Sequence, residues 1–163
     1  MGTPTLKFFH ANGKGTGGAM SIGMVPATDT ADGFYLVKIA NQKMIPPRGN
    51  TPDMVDIFDF DNGIAFPLSF VNACEIMRVF RGEVESLCDG QGIYVKWNGY
   101  TVQLTVRHII EPVLCYVVEA FRYSEEDKDG DRARIMLFNA EALGLLTVLE
   151  HSMATIVFGG APC

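Results

Sequence analysis

The chain carries the same arrangement twice, with about four short strands followed by one apolar helix. Asx-Gly pairs separate the strands, and such pairs favour tight hairpin turns because Asn, Asp and Gly tolerate positive φ. They stand at Asn12-Gly13, Asp32-Gly33, Asn62-Gly63, Asp89-Gly90, Asn98-Gly99 and Asp129-Gly130. Similar helical segments, beginning at Pro67 and at Met136, close the two halves. The repeat therefore predicts two equivalent β-β-β-β-α units.

Composition indicates a globular chain, with 48% hydrophobic and 20% charged residues among 163. Cys74 and Cys115 lie in apolar stretches without paired spacing, which suits buried thiols in a reducing compartment. The N-terminus lacks a basic region followed by an apolar run, so we expect no signal peptide and a cytoplasmic protein. The segment 140–158 is apolar enough to resemble a membrane span, but Glu150, His151 and Ser152 interrupt it. Burial in a subunit interface is the preferred interpretation, and no membrane contact is expected.

The expected domain spans residues 14–159, between an N-terminal leader (1–13) that holds a short LKFF strand and a tail (160–163). Ser69 and Asn139 are expected to cap its two helices. The expected strands are 16–25, 34–41, VDIFDF and IAFPLS in the first half, and 93–97, 100–108, 113–123 and 132–137 in the second.

The net charge of −6 is unevenly distributed. Residues 53–61 carry four aspartates and no base, and residues 124–131 carry five acids against Lys128. Outside these two segments bases outnumber acids, so a basic surface elsewhere is compatible with the sequence.

The Asn98-Gly99 hairpin separates into two faces. A two-residue turn pairs Trp97 with Tyr100, and the face that follows from this register is wholly apolar and belongs in the core. The opposite face carries Tyr94, Lys96, Thr101, Gln103, Thr105 and Arg107. An aromatic ring among basic and amide side chains suits single-stranded nucleic acid, because bases stack on the ring while cations meet phosphates. An ordinary solvated sheet face is the alternative.

Two glycine-containing motifs have simpler explanations than catalysis or cofactor binding. The segment 13–18 satisfies GxGxxG, but an extended stretch rather than a helix follows it. Its glycines are expected to allow close approach of another backbone or a ligand. The DKDGD run at 127–131 lacks calcium-loop spacing and predicts a solvated hairpin turn. No catalytic motif occurs, so the sequence predicts no enzyme, no cofactor and no metal.

Three motifs, in order, resemble those of the Whirly family of single-stranded-DNA-binding proteins. KGTGGAMS, from Lys14, is similar to the family's KGKAALS strand, and Phe58-Asp59-Phe60 stands where Whirly proteins carry Tyr-Asp-Trp. The ending FNAEALGLLTVLEHSMATIVFG resembles the family's final helix. Together the motifs cover about residues 14–159. The resemblance implies an α+β fold with two packed four-stranded antiparallel sheets and helices at one end.

The same resemblance implies helix-mediated tetramers, with strands of DNA bound across the sheets of neighbouring protomers. A tetramer is therefore favoured over a dimer. The candidate interface residues lie on the last helix, namely Leu143, Leu146, Leu149, Met153 and Val157.

The sequence thus predicts a homo-oligomer that binds single-stranded DNA with little sequence preference, in replication, recombination, repair or transcription. Tyr94 and Tyr35 would stack on bases and Gln103 would contribute hydrogen bonds. The candidates for phosphate contacts are Lys14, Lys96, Arg107 and Lys38. Two alternatives stay open: a protein-interaction scaffold that kept the fold but lost nucleic-acid binding, which the net acidity favours, and an RNA-binding protein.

Overall fold

The structure is a computed structural model that describes residues 5–47, 49, 53–111 and 113–159. Its strands are β1 (Thr5–His10), β2 (Gly18–Val25), β3 (Phe34–Asn41), β4 (Ile64–Leu68), β5 (Ile93–Trp97), β6 (Tyr100–Ile109), β7 (Cys115–Tyr123) and β8 (Asp131–Phe138). Its helices are α1 (Met54–Ile57), α2 (Phe70–Phe80) and α3 (Asn139–Phe158), with a 3₁₀ turn at Leu87–Gly90.

The strands form two four-stranded antiparallel sheets, β1-β2-β3-β4 and β5-β6-β7-β8. A long helix closes each half, so the duplicated β-β-β-β-α plan and the α+β fold class are confirmed. One core joins the inner faces of both sheets to both helices, and it includes Ile39, Phe66, Leu104, Ile135, Leu137 and Leu149. The outer faces of the two sheets lie outside this core, and a second, smaller apolar cluster covers part of the outer face of the first sheet.

The β5–β6 hairpin has the predicted register, with Trp97 opposite Tyr100 and Ile93 opposite Leu104. Asn98 and Gly99 both adopt positive φ (52° and 83°), as a two-residue turn that matches strand twist requires. Ile93, Val102 and Leu104 are buried, which confirms the inner face of this hairpin. Near the turn that face is less covered, and Tyr100 is exposed.

The predicted VDIFDF strand is wrong. Residues 54–57 form the short helix α1, and Phe58 makes only an isolated bridge with Gln42. The cause is packing on the outer face of the first sheet, where the small Ala19 and Ala40 leave room for large side chains. Ile57 and Phe58 are buried there.

The first sheet begins before residue 14, where the sequence placed the start of the domain. β1 lies in the segment expected to be a leader, and Thr5 pairs with Gly23 at one end of the ladder. Residues 1–4 of that leader and the tail 160–163 lie outside the described residues.

The two long helices begin differently. Ser69 caps α2 as predicted, since its hydroxyl accepts the backbone N–H of Asn72 at 3.2 Å. Asn139 is not the cap of α3, because β8 runs directly into the helix and Phe138 occupies the cap position. The carboxylate of Glu141 accepts the Phe138 N–H at 3.0 Å and lies 2.7 Å from Nε2 of His10. It therefore links the start of α3 to β1.

One side of α3 packs into the core, which corrects part of the predicted oligomer interface. Leu146 and Leu149 are 7% and 1% exposed, so they stabilise the protomer and are not free to meet another chain. Met153 is half-buried against the same core. The opposite side of the helix is open and includes Leu143 (63% exposed), Val148, Val157 and Phe158. By length and composition α3 could also cross a membrane.

The glycines at the start of β2 allow the close approach that the sequence predicted. A Cβ on Gly17 would lie 1.9 Å from the carbonyl oxygen of His10. A Cβ on Gly18 would lie 1.9 Å from that of Arg134 on β8. Gly18 therefore brings the edge of the second sheet against β2.

Candidate nucleic-acid interface

The outer face of the second sheet is both aromatic and basic. The registers place on this face Tyr94 and Lys96 of β5, Thr101, Gln103, Thr105 and Arg107 of β6, Phe121 and Tyr123 of β7, and Arg132 and Arg134 of β8. We call these residues the polar-aromatic face. Glu119 is the acidic side chain among its neighbours on β7, so the strand segments of the face carry an excess of positive charge.

One row of this face crosses all four strands. Tyr94 lies opposite Gln103, which lies opposite Phe121, which in turn lies opposite Arg132. Neighbouring strands are about 5 Å apart, so the row places two rings, an amide and a guanidinium along a path of about 14 Å. Tyr94 is 59% exposed at one end, and Arg132 is exposed at the other.

The Arg132 end of the row is internally ordered. The guanidinium carbon of Arg132 lies 4.1 Å from the centroid of the Phe121 ring, and its Nη1 lies 3.2 Å from Glu119 Oε1. The rings of Phe121 and Tyr123 are 5.1 Å apart. A guanidinium held against a ring presents its second face for stacking, so this end offers both charge and a planar surface.

Gln103 is oriented by its neighbour. Its Nε2 donates to the carbonyl oxygen of Gln91 at 2.8 Å, next to the start of β5. This bond orients the amide between Tyr94 and Phe121 in the row, and leaves its Oε1 acceptor and its second N–H for a ligand on the sheet.

Four predicted site residues lie together. Tyr94, Lys96, Gln103 and Arg107 all belong to the polar-aromatic face, and Tyr94, Lys96 and Arg107 are exposed. The structure gives these side chains a common surface, while their contacts with a ligand stay a prediction.

Tyr35 does not belong to any exposed surface, which corrects its predicted stacking role. It is 2% exposed on the inner face of β3, and its hydroxyl lies 2.6 Å from that of Ser152 on α3. Burial raises the pKa of Tyr35, although the hydrogen bond with Ser152 opposes the shift. The ring is therefore a core residue that joins the first sheet to α3.

Lys38 lies on a different surface from Tyr94. It is on the outer face of the first sheet, in a row that runs from Lys7 through Ser21 to Lys38 and Ala65. Lys7 is exposed in this row, whereas Lys38 is half-buried.

Lys14 is exposed in the loop between β1 and β2, and a buried amide holds that loop. Oε1 of Gln42 accepts the backbone N–H groups of Asn12 and Gly17, both at 2.9 Å. Its Nε2 donates to the carbonyl oxygens of Asn12 and Met44. The Asn12 side chain in turn accepts the N–H of Lys14 at 3.0 Å. Lys14 therefore stands on an ordered loop beside β2.

The first sheet and β8 are joined through Asn41. Its Nδ2 donates to the carbonyl oxygen of Arg132 at 2.7 Å, and its Oδ1 accepts the N–H of Arg134 at 3.3 Å. These bonds fix the position of the basic strand β8 relative to the first sheet.

Sequence reasoning missed four residues of the polar-aromatic face: Phe121, Tyr123, Arg132 and Arg134. Alternation along β7 and β8 would have placed them, since buried Ala120 and Ala133 mark the opposite face. The information lacking was the register across the 124–130 loop, which is too long for a two-residue turn. Among the residues described, no three His, Cys, Asp or Glu side chains lie close enough to hold a metal ion.

Comparison with known proteins rests on structure, because no family model and no curated protein matches the sequence. WHY1 from Arabidopsis thaliana superposes with a TM-score of 0.67 at 14% identity, over 97% of this chain and 94% of that one. The plant transcriptional regulator PBF-2 gives a TM-score of 0.65 at 15% identity, over 94% and 84%. A guide-RNA-binding protein complex bound to its gRNA gives 0.57 at 16% identity, over 93% and 90%.

The chain has a Whirly-like fold. The agreement extends over most of the chain, so both sheets and both long helices belong to the shared architecture.

Proposed function

We propose that the protein binds single-stranded DNA with little sequence preference, through the polar-aromatic face. The row from Tyr94 to Arg132 is the observation that carries this proposal, because it spans the sheet with alternating planar and hydrogen-bonding groups. Every base has a π-face, so stacking on such a row tolerates any sequence and contributes roughly 1–3 kcal/mol per base.

The positions of the cations around the row support the proposal, because the phosphates of a strand stacked on the row would pass close to them. Lys96 and Arg107 lie on either side of the row along β5 and β6, while Arg134 lies beyond Arg132 on β8. Lys14, Lys7 and Lys38 offer further contacts for a strand that continues onto the first sheet. The proposed surface is thus basic although the whole chain is acidic.

The proposed assembly is a homo-oligomer, with a tetramer favoured. The open side of α3 supports it, since Leu143, Val157 and Phe158 expose apolar surface on the described protomer. A Cβ on Gly144 would meet no atom of a neighbouring element within 4 Å, which leaves the helix free for close approach by another chain. Oligomers would also extend the binding surface from one protomer to the next.

RNA is the second candidate ligand, because the structural neighbour with 16% identity is a guide-RNA-binding complex bound to its gRNA. A stacking row accepts ribose as readily as deoxyribose unless a group reads the 2′-hydroxyl. The cellular role we propose is in DNA replication, recombination, repair or transcription, in the cytoplasm and without catalysis. The similarity to the transcriptional regulator PBF-2 supports transcription among these.

Fluorescence anisotropy over a salt series tests the proposal. The probes are a labelled dT oligomer, a mixed-sequence single strand, the matched duplex and the matched RNA. We expect micromolar or tighter binding of both DNA single strands, weaker binding of the duplex, and a loss of affinity that is linear in log salt with a slope of about −0.7 per phosphate neutralised. Equal affinity for RNA would extend the proposal to that ligand. No single-strand binding at low salt would reject it and favour a protein-interaction scaffold, whose partner would survive nuclease treatment in a pull-down.

A further inference from the structure

A cleft lies at one end of the second sheet, between the β5–β6 turn and the 124–130 loop. Its volume is about 1120 Å³, somewhat above the roughly 300–1,000 Å³ that is typical of small-molecule sites, as befits an open cleft. It is continuous with the polar-aromatic face, because Lys96, Thr101, Phe121 and Tyr123 belong to both. A ligand on the face can therefore place one group in the cleft.

The walls of the cleft combine rings with charges of both signs. Trp97, Tyr100, Phe121 and Tyr123 supply aromatic surface, and Lys96 and Lys128 supply positive charge. Glu125 and Glu126 line the cleft from the loop side. Carboxylates are unexpected at this position, because the adjoining polar-aromatic face carries an excess of positive charge.

Two other acids of this region are engaged within the protein. Asp127 Oδ1 accepts the N–H of Gly130 at 3.1 Å, and its own N–H donates to Ser124 Oγ at 3.1 Å. Asp131 lies 2.9 Å from Nη2 of Arg122. Asp127 and Asp131 thus shape the loop, which leaves Glu125 and Glu126 as the carboxylates that line the cleft.

We propose that this cleft receives a guanine base of the bound strand. Guanine is the base whose Watson–Crick edge offers two adjacent donors, N1–H and the 2-amino group, and a carboxylate has two acceptor oxygens with matching geometry. One of the two glutamates accepts both donors, Phe121 and Tyr123 stack on the base, and Lys96 or Lys128 neutralises its phosphate. This inference rests on the proposed function and adds one preferred position to a surface that otherwise tolerates any sequence.

The same carboxylates would disfavour binding of the other three bases. Adenine and cytosine present a ring nitrogen with a lone pair on that edge, and thymine has carbonyl oxygens on both sides of its single donor. Each would bring an acceptor against a negatively charged acceptor, and that repulsion disfavours these bases in the cleft. Specificity thus comes from repulsion as well as from the new hydrogen bonds.

Mononucleotides test the cleft independently of strand binding. Trp97 is the single tryptophan of the chain and lines the cleft, so its indole N–H resonance in ¹⁵N-labelled protein reports occupancy without further assignment. The titrants are dGMP, dIMP (which lacks the 2-amino group), dAMP and dCMP. We expect dGMP to shift the resonance with an affinity about tenfold or more above that of dAMP and dCMP, with dIMP between them.

Paired variants assign the effect to the carboxylates. Glu125→Gln together with Glu126→Gln should abolish the preference for dGMP. Asp129→Asn, a neutralisation in the same loop at a residue that does not line the cleft, should retain it. Equal affinity for all four nucleotides, no shift at all, or a preference that survives in the double variant would overturn the inference.

Strand binding separates this inference from the proposed function. A protein that binds the dT oligomer but shows no dGMP preference keeps the proposed function and loses the guanine site. A protein that prefers dGMP but does not bind the oligomer has the guanine site without the strand-binding surface.

Discussion

The guanidinium of Arg132 on β8 lies over the ring of Phe121 on β7, with 4.1 Å between the guanidinium carbon and the ring centroid. Glu119 holds the same guanidinium from the side at 3.2 Å. Arg132 is thus ordered before a ligand arrives, so less side-chain entropy is lost on binding. A lysine in its place would keep the charge but not the planar stack.

This geometry leads to a first prediction about Arg132. Arg132→Lys should weaken single-strand binding through loss of stacking while leaving the salt slope unchanged. Arg132→Ala should weaken single-strand binding further, and the slope of log affinity against log salt should become about 0.7 less steep. Anisotropy over a salt series measures both quantities. Identical slopes in the alanine variant and the wild-type protein would contradict a phosphate contact at this residue.

Glu119 offers a matched control, because removal of its negative charge should have the opposite effect on binding. Glu119→Gln removes a negative charge from the polar-aromatic face and should tighten binding at low salt by a fewfold, since exposed charge pairs are worth about 0.2–1 kcal/mol. Weaker binding would instead mean that ordering of Arg132 by this carboxylate outweighs its repulsion of phosphates.

The other end of the row gives a second prediction. Tyr94→Ala with Lys96→Ala should weaken single-strand binding by roughly 1–3 kcal/mol from lost stacking, plus one phosphate contact. Both side chains are exposed, so the melting temperature should barely change. Lys43→Ala, an exposed lysine in the loop after β3, serves as the control for loss of one charge. Unchanged affinity in a folded double variant would reject this surface.

Assembly is tested on the open side of α3. Leu143→Glu should convert the oligomer to a monomer, because it places a charge within the proposed apolar contact. Ile45→Glu, at a similarly exposed apolar side chain in a loop, should leave the mass unchanged. Light scattering coupled to size-exclusion chromatography measures both. If the wild-type protein is itself a monomer, the proposed oligomer interface on α3 is wrong.

A fourth prediction concerns the close approach at Gly18. Gly18→Ala should destabilise the protein by about 2 kcal/mol or more, because its Cβ would overlap the carbonyl oxygen of Arg134. Gly13→Ala is the control, since no atom lies within 4 Å of its Cβ position. Urea unfolding gives both free energies. Equal stability of the two variants would show that the sheets can separate at this point without cost.

Tyr35 yields a prediction about pH. Burial raises its pKa above the ordinary value of 10.0, so the folded state favours the neutral phenol. Its contribution to the free energy of unfolding is therefore complete below about pH 10 and is lost as the pH rises further. Tyr35→Phe should lose about 1 kcal/mol at neutral pH with the hydrogen bond to Ser152, and its stability should then fall less steeply above pH 10.

Urea unfolding between pH 7 and 11 measures this difference. Some decline should remain in the variant, because burial also raises the pKa of Tyr116. If the free energy of unfolding falls equally with pH in the variant and in the wild-type protein, ionisation of Tyr35 does not contribute to the loss of stability between pH 7 and 11.

The sequence was most informative where interactions are local. The Asn98-Gly99 turn set the β5–β6 register correctly, because two residues with positive φ leave one pairing for the strands. The Ser69 cap was likewise readable from neighbouring residues. The repeat of strands and helix predicted the two sheets, since each unit needs a partner to bury its apolar face.

Errors arose where distant segments compete for the same side chain. Tyr35 has an aromatic ring that could stack on a base, but the strand register turns this ring toward α3. There its hydroxyl meets Ser152, which lies 117 residues further along the chain. Leu149 lies on an apolar helix, which the sequence alone cannot assign to a subunit interface or to the core. The packing of α3 against the sheets buries it in the core. The stack of Arg132 on Phe121 was missed because it depends on the pairing across a long loop.

Asn41 has a further consequence for how the protein can associate. Its side-chain amide takes the place that the backbone of a ninth strand would occupy, using both the donor and the acceptor that β8 presents at Arg132 and Arg134. An edge satisfied in this way cannot easily recruit a strand from another molecule, which is the usual route to uncontrolled polymerisation of sheet proteins. One amide thus protects this part of the basic strand from aggregation without using the side chains of Arg132 and Arg134.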